Sequence, residues 1–304
     1  MVARKFPQWL RRPFPAGSVY QTQGVVDGFR LHTVCESALC PNRPECFSER
    51  TAAFMILGDI CTRRCGFCAI SVGRPAEVDP DEPRRVAKAV KQLGLGHVVV
   101  TSVARDDLRD EGAGAFYETI LAIRELNPEA AVEVLVPDFH ARHELIEYVC
   151  DARPQVFNHN LETVRRLTPM VRRQARYDRS LEVLQIVKQY DDAMTTKSGL
   201  MLGLGETVDE VKSTLYDLRA VGVNIVTIGQ YLKPKDGKLE VVEFVHPGVF
   251  EELGEEGKKI GFSEVYSGPY VRSSYHAGEA YRRSVQRSAS IAIKEITGVD
   301  ASFV

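Results

Sequence analysis

The stretch DICTRRCGFCAI, residues 59–70, places Cys61, Cys65 and Cys68 within eight positions of one another. These residues, the first trio, closely follow a short apolar run, AFMIL, which is the first predicted strand. A structural zinc site requires four ligands. No fourth ligand lies nearby, because the next histidine, His97, falls at the start of another predicted strand. A 4Fe–4S cluster on three thiolates keeps one iron open for a small molecule, so the spacing predicts such a cluster.

Apolar runs alternate with helical patterns from residue 51 onward, which is typical of βα units and a parallel sheet. One helical pattern begins with Asp81, Glu82 and Pro83 and ends at Gly94, as expected of a helix. Six βα units predict an α/β fold, a partial (β/α)6 TIM-like barrel with its active site at the C-terminal ends of the strands. The six predicted strands lie at 53–57, 97–101, 131–136, 155–158, 197–202 and 224–229.

Three regions are expected along the chain. Residues 1–50 are predicted to be an irregular, cysteine-rich N-terminal extension, and residues 51–240 the barrel. Residues 241–304 are predicted to be a C-terminal segment that ends in a basic helical tail.

The composition of the 304 residues is 44% hydrophobic and 26% charged with a net charge of −2, as in ordinary globular proteins. A nucleic-acid partner is not expected without a basic excess, and Arg172 and Arg173 are expected to be solvated surface charges. No apolar run approaches the ~20 residues of a membrane helix, and the N-terminus does not resemble a signal peptide. A cytoplasmic location with no membrane is therefore expected.

A second trio, Cys35, Cys40 and Cys46, lies just upstream in the stretch TVCESALCPNRPECF. Six of the seven cysteines thus lie within 34 positions. In a reducing cytoplasm such clusters indicate metal or redox chemistry rather than disulfides. The remaining cysteine, Cys150, lies on an apolar helical pattern and is predicted to be a buried packing residue.

The first trio, together with GLMLGLGE at Gly199–Glu206 on the fifth strand, resembles the radical S-adenosylmethionine (SAM) superfamily. The resemblance implies that the open iron chelates the amino and carboxylate groups of SAM, which then yields a 5′-deoxyadenosyl radical. The candidate contacts for SAM are Phe67, Ser102, Asn160, Glu162, Gly203, Gln230 and Leu232. For Glu162, the alternative role is helix capping.

With RSSY at Arg272–Tyr275, the second trio resembles the lipoyl synthase family from about residue 30 to 278. Other matching stretches are VVVTSVARDDLRD, FNHNLETV, TKSGLMLGLGET, TIGQYL and GPYVRSSYHA. The resemblance implies a second 4Fe–4S cluster, held by the second trio and Ser274 and consumed as the sulfur source. It also implies that the first trio and Ser274 are the catalytic residues.

The same resemblance implies the reaction and the partners. Two sulfur atoms would be inserted at C6 and C8 of an octanoyl-lysine on carrier domains, namely those of 2-oxoacid dehydrogenase E2 and the glycine-cleavage H protein. An electron donor such as flavodoxin or ferredoxin and an iron–sulfur carrier would be further partners. The alternatives are a different radical sulfur transferase and a non-catalytic metal carrier or sensor.

Other residues of the matched motifs have simpler interpretations. Asp106 and Asp107 are expected to form ion pairs rather than an acid–base pair, and His140 and His159 to be surface or cap residues. Gly66 stands where the lipoyl synthase family usually has proline, and this glycine is expected to loosen the cysteine loop. The C-terminal segment past residue 277 is longer and more basic than usual.

Overall fold

The computed structural model describes residues 6–11 and 19–297, with side chains as far as residue 287. Helices and strands alternate along most of this part of the chain. Its ten assigned strands are β1 (His32–Thr33), β2 (Ala53–Ile56), β3 (Ile60–Cys61), β4 (Ser71–Val72), β5 (His97–Ser102), β6 (Ala131–Leu135), β7 (Val156–Asn158), β8 (Thr195–Leu202), β9 (Ile225–Gln230) and β10 (Glu264–Ser267).

Eight strands form the central sheet, in the order β1-β2-β5-β6-β7-β8-β9-β10. All neighbours from β2 to β10 are parallel, whereas β1 is antiparallel to β2. The two edge strands, β1 and β10, are not paired with each other within the described residues. The predicted partial barrel is therefore confirmed.

The six predicted strands correspond to β2, β5, β6, β7, β8 and β9, whereas β1 and β10 of the same sheet and the two-stranded sheet of β3 and β4 were not predicted. Strand β10 lies beyond residue 240 but joins the same sheet. Val265 is the one buried residue of the four, so the sequence of this strand does not show the run of apolar residues that predicts a buried strand. β1 has two residues, too few to produce a periodic signal.

The helices pack against the sheet, and local sequence explains their ends. α4 ends at Gly94, which takes a left-handed φ of 68° that glycine adopts without strain. Thr207 and Glu210 form a capping box at the start of α9. The α-helices are α1 (Tyr20–Gly28), α2 (Val34–Ser37), α3 (Arg43–Ser48), α4 (Glu82–Leu93), α5 (Ala113–Leu126), α6 (His143–Asp151), α7 (Thr168–Val171), α8 (Tyr177–Tyr190), α9 (Val208–Ala220), α10 (Pro247–Ile260) and α11 (Ala277–Thr297).

The N-terminal extension is more regular than predicted, since it contains α1, α2 and α3. Two of these helices have only four and six residues, and helices this short do not show a clear apolar period. The predicted C-terminal helix is α11, and the tail at 298–304 lies outside the described residues. Cys150 is 1% exposed within the core, as predicted. None of the described helices has the length and apolar character needed to cross a bilayer.

Candidate active site

A cavity of about 1080 Å³ occupies the interior of the open barrel and reaches both cysteine trios. It also contains most of the predicted contacts, so the fold brings together residues that are more than 200 positions apart. Gly203 is the predicted contact that does not line it. The predicted residues on its wall, besides the trios, are Phe67, Ser102, Asn160, Glu162, Gln230, Leu232 and Ser274.

The first trio lies on a loop that begins at the end of β3, next to the C-terminal end of β5. The Cys61 sulfur accepts hydrogen bonds from the backbone N–H groups of Arg63 (3.4 Å) and Ala104 (3.3 Å). The Arg63 guanidinium is buried and forms ion pairs with Asp106 (2.6 Å) and Asp138 (2.7 Å). This network fixes the loop at the end of the barrel where active sites of such folds lie.

Gly66 does not loosen the loop, contrary to the expectation from sequence. Its N–H donates to the Val171 carbonyl oxygen (2.9 Å), and its own carbonyl oxygen accepts from the Leu239 N–H (3.0 Å). A Cβ atom here would lie 2.9 Å from the Leu239 side chain and 3.3 Å from the Met170 carbonyl oxygen. The glycine therefore allows three segments to meet closely, and its N–H makes a hydrogen bond that proline cannot make.

The second trio is built by the short helices of the extension. Cys35 lies in α2, whose first turn is capped by the Thr33 hydroxyl accepting from the Glu36 N–H (3.3 Å). The Cys40 N–H donates to the Cys35 carbonyl oxygen (3.1 Å), and Cys46 lies in α3. Local backbone hydrogen bonds thus bring the three thiols to the same wall of the cavity.

Ser274 lines the same cavity as the second trio, and two hydrogen bonds join its segment to the segment that carries the trio. The Asn42 side-chain amide donates to the Tyr270 carbonyl oxygen (2.7 Å), and the Tyr275 hydroxyl donates to Glu45 Oε1 (3.0 Å). These contacts span 228 and 230 positions of sequence. The open side of the barrel, between β1 and β10, is therefore closed by the segments that carry the second trio and Ser274.

The two trios lie at different heights in the barrel. Cys35 packs with Ala53 and Val99, which are register partners near the starts of β2 and β5. The Cys61 sulfur accepts a hydrogen bond from the N–H of Ala104, which lies five residues beyond Val99 in the chain. Since β5 continues three residues beyond Val99, to Ser102, Cys61 lies at least roughly 10 Å further along β5 than Cys35 at ~3.3 Å per strand residue. The interior between them can hold a chain-like substrate.

The spacing of the sulfurs distinguishes between kinds of metal site. A mononuclear tetrahedral zinc site with Zn–S bonds of ~2.3 Å brings its sulfurs within about 4 Å of one another. In the described part of the chain, only Asp106, Glu111 and His140 bring three ligand atoms within 4.8 Å, and Arg63 already pairs with Asp106. Neither trio does so in the described structure.

Burial controls the protonation of the thiols. It raises the pKa of Cys65 to about 12, although the nearby Arg172 guanidinium acts in the opposite direction. Burial also raises the pKa of Cys35 and Cys46 to about 12, with the neighbouring cysteines adding to the effect. Without metal these thiols are neutral at physiological pH, so loading a cluster displaces their protons.

Two of the buried polar atoms on the cavity wall that have no hydrogen-bond partner lie at the ends of strands. They are Ser102 Oγ, at the end of β5, and Asn160 Oδ1, just beyond β7. The Asn160 amide N–H₂ donates to Glu162 Oε1 (3.1 Å), whose carboxyl pKa is raised by burial. Glu162 has a left-handed φ of 67° and bridges to Leu200 in β8, which is not the geometry of a helix cap. Unpartnered buried atoms of this kind fit a polar ligand such as SAM.

Gln230 and Gly203 act together behind this wall. The Gln230 side-chain N–H₂ donates to the carbonyl oxygens of Leu202, Tyr231 and Glu243, and its Oε1 accepts from the Val245 N–H. The amide is therefore fully used inside the protein. Gly203 has a φ of 98°, and a Cβ there would lie 2.2 Å from Gln230 Nε2. Its role in the structure is to allow this close packing.

The position of Arg172 beside the first trio was not predicted from the sequence. This residue is 7% exposed, so its predicted place on the surface is wrong, whereas Arg173 is exposed as predicted. The Arg172 guanidinium donates to the Leu161 carbonyl oxygen (3.2 Å) and Ser180 Oγ (2.9 Å), close to Cys65 and Glu162. No local sequence signal separates the two arginines, because tertiary packing alone buries the first.

The remaining polar predictions have mixed outcomes. Asp106 and Asp107 form ion pairs with Arg63 and Arg105, as predicted. His140 is half-exposed, but His159 is buried and not at the surface. The His159 ring is bonded to the Val136 carbonyl oxygen (2.9 Å) and Ser180 Oγ (3.0 Å), and burial lowers its pKa to about 4.

Comparison with known proteins defines the class of the protein. Residues 55–218 match the Radical SAM superfamily. The solved structure of methylornithine synthase (PylB) has a similar fold, with a TM-score of 0.51 and 15% identity, over 75% of this chain and 71% of that chain. The fold and the first trio therefore belong to a radical SAM enzyme, and the donor set fits its 4Fe–4S cluster and SAM.

Two relatives narrow the assignment. The lipoyl synthase of Caldicellulosiruptor saccharolyticus is 53% identical over 280 residues, which cover 92% of this chain and 98% of that protein. The lipoyl synthase of Symbiobacterium thermophilum is 54% identical over 287 residues, covering 94% and 89%. The chain belongs to the lipoyl synthase family.

Proposed function

We propose that the chain inserts two sulfur atoms, at C6 and C8, into an octanoyl group borne on a carrier lysine. The observation that carries this proposal is the single cavity that both trios line, with Cys35 packed near the start of β5 and Cys61 bonded beyond its end. The first trio would hold the cluster that binds SAM. The second trio and Ser274 would hold a cluster that serves as the sulfur source.

The bound groups supply chemistry that side chains do not have. The cluster on the first trio, together with SAM, would provide a carbon radical that removes hydrogen atoms from unactivated C–H bonds. The second cluster would provide sulfur. No side chain has a pKa suited to deprotonating such carbons. Of the carboxylates on the cavity wall, Asp138 is held in ion pairs by Arg63 and Arg179, and Glu162 accepts a hydrogen bond from the Asn160 amide. The protein contributes position and exclusion of water, through apolar cavity residues such as Met55, Val99 and Val136.

Arg172, Glu162 and Asn160 form the polar side of the proposed SAM site. The buried positive charge of Arg172 favours the thiolate form of Cys65, which is the form that ligates iron. The Glu162 carboxylate suits the cationic groups of SAM, and Asn160 Oδ1 offers an unused acceptor beside it. Ser102 Oγ lies on the same wall and offers a further hydrogen bond.

Ser274 gives the second site its proposed lability. An oxygen ligand is harder than thiolate and binds iron less firmly, so it releases more readily. The contacts of Asn42 and Tyr275 hold the segment of this serine against the segment of the second trio, which supports its proposed role as a ligand. This arrangement supports a cluster that gives up its sulfur.

We further infer the partners and the place of work. The substrates would be the octanoylated domains of 2-oxoacid dehydrogenase E2 and the glycine-cleavage H protein. Flavodoxin or ferredoxin would supply electrons, and an iron–sulfur carrier would rebuild the second cluster. The cytoplasm, which is reducing, suits seven free cysteines.

Iron and acid-labile sulfide analysis of anaerobically reconstituted protein, combined with Mössbauer spectra, tests the two-cluster arrangement. We expect two distinct 4Fe–4S environments, only one of which changes on addition of SAM. Loss of one environment in a Cys40→Ala variant would assign it to the second trio. A single environment in the unaltered chain would refute the proposed sulfur source.

A further inference from the structure

The outer face of the first trio's loop carries a group of unpaired cations. Six basic residues, the basic rim, surround this loop, and none forms an ion pair within the described part of the chain. Five of them are exposed and Lys238 is half-buried. The basic rim consists of Arg64, Arg74, Arg173, Arg176, Lys235 and Lys238.

Contacts of the backbone show that the basic rim is one surface. The Arg64 N–H donates to the Gln174 side-chain oxygen (2.7 Å), and Gln174 lies between Arg173 and Arg176. The Lys235 ammonium donates to the Ala69 carbonyl oxygen (2.6 Å), directly after Cys68. All these groups therefore converge on the loop that holds the first trio.

Arg74 and Lys238 complete the other side of the loop. Gly73, which precedes Arg74, donates its N–H to the Cys61 carbonyl oxygen (3.1 Å). Lys238 lines a small cavity with the first trio, and its charge acts on the Cys68 thiol. Cationic side chains thus approach the first trio from both sides.

The charge of this surface contrasts with the rest of the molecule. The chain has a net charge of −2. Near the basic rim, Asp106 and Asp107 are paired with arginines, whereas Asp236 and Glu240 share the single cation of Lys233. The exposed Asp59 and Glu77 form no ion pair in the described structure, and with the excess carboxylate at Lys233 they leave three negative charges against the six cations of the basic rim.

We propose that the basic rim is the docking surface for an acidic protein that donates single electrons. This inference rests on the proposed function, in which the first trio's cluster must be reduced by one electron for each SAM cleaved. A reduced flavin of the donor would be oxidised to its semiquinone, and the cluster would gain that electron. Since electron transfer weakens steeply with distance, the donor must dock beside the first trio, where the basic rim lies.

Charge complementarity supports this occupant. Complementary patches speed association by factors of about 10 to 1,000 at low ionic strength. An octanoylated carrier is the other protein partner, but its lysine arm must reach the interior between the two trios. The basic rim surrounds only the first, which favours the electron donor.

The test compares two triple charge reversals. The rim variant is Arg64→Glu, Arg173→Glu and Arg176→Glu, which leaves the cysteines and cavity residues unchanged. The control variant carries Arg84→Glu, Lys88→Glu and Lys91→Glu, exposed residues of α4 with the same change in charge. Binding of an acidic flavodoxin is measured by fluorescence anisotropy at low salt. Formation of 5′-deoxyadenosine is measured with reduced flavodoxin and, separately, with titanium(III) citrate.

We expect the rim variant to bind flavodoxin at least about tenfold more weakly than the unaltered chain and the control variant. The difference should nearly vanish at about 1 M salt, where the Debye length is ~3 Å. Turnover with titanium(III) citrate should be unchanged. Equal binding by the two variants, or a loss with both reductants, overturns the proposal, as does a defect confined to the KM for the octanoylated carrier. If the unaltered chain makes no 5′-deoxyadenosine with titanium(III) citrate, the proposed function fails instead.

Discussion

Replacing Gly66 by proline is predicted to destabilise the loop of the first trio. In this chain the Gly66 N–H donates to the Val171 carbonyl oxygen at 2.9 Å. Proline has no N–H, so this buried carbonyl would lose its partner. Proline also restricts the backbone of the preceding residue, which is Cys65 of the first trio.

The size of the effect follows from these contacts. Leaving a buried carbonyl unsatisfied costs about 1–3 kcal/mol. A Cβ at position 66 would lie 2.9 Å from the flexible Leu239 side chain and 3.3 Å from the Met170 carbonyl oxygen, so part of the crowding can relax. We therefore expect Gly66→Pro to lower the free energy of unfolding by about 2–3 kcal/mol.

Urea unfolding of the metal-free protein measures this change, and release of iron to a chelator reports on the loaded loop. Gly66→Ala is the matched control, because it adds the Cβ but keeps the N–H. Adding Leu239→Ala to each variant should relieve the alanine and leave most of the proline defect. A Gly66→Pro protein that unfolds at the same urea concentration as the unaltered chain would refute the hydrogen-bond argument. So would complete rescue by Leu239→Ala, which would make crowding the whole cause.

Four further predictions concern the cysteines, the serine and a buried histidine. Cys65→Ala should abolish 5′-deoxyadenosine formation, measured by chromatography, and retained formation would contradict the role of the first trio. Cys40→Ala should still form 5′-deoxyadenosine but no lipoyl product by mass spectrometry, and any lipoyl product would mean that the sulfur has another source. Ser274→Cys should bind the second cluster more firmly and suppress the product, whereas normal turnover would count against the labile ligand. The fourth prediction concerns pH. Since the pKa of His159 is about 4 in the folded chain and ~6.5 unfolded, acidification from about pH 6.5 to 4 should remove up to about 3 kcal/mol of stability. His159→Gln should flatten the urea midpoint over that range, and an unchanged slope would show that other groups control it.

Local patterns in the sequence predicted the parts of the site that are themselves local. The first trio lies in one loop after one strand, and the six buried strands are apolar runs, so spacing and period were enough. Arg172 and His159 could not be predicted in this way. Their burial arises where α7 and α8 meet the ends of β7 and β8, and both bond to the Ser180 hydroxyl across that junction. The next residue, Arg173, has the same type of side chain but is exposed.

The distance between the two trios depends on a feature with almost no sequence signal. Cys35 is positioned by β1, a strand of two residues, in which Thr33 pairs with Phe54 of β2. A register shift of one residue would move the second trio by ~3.4 Å along the barrel and turn alternate side chains to the opposite face. The spacing within each trio is encoded by neighbouring residues, but the separation of the trios is encoded by one short antiparallel pairing and by the contacts of Asn42 and Tyr275. The spacing within a trio determines whether it can hold a cluster. The separation between the trios determines whether a substrate carbon radical that is generated near the first trio can reach the sulfur of a cluster on the second trio.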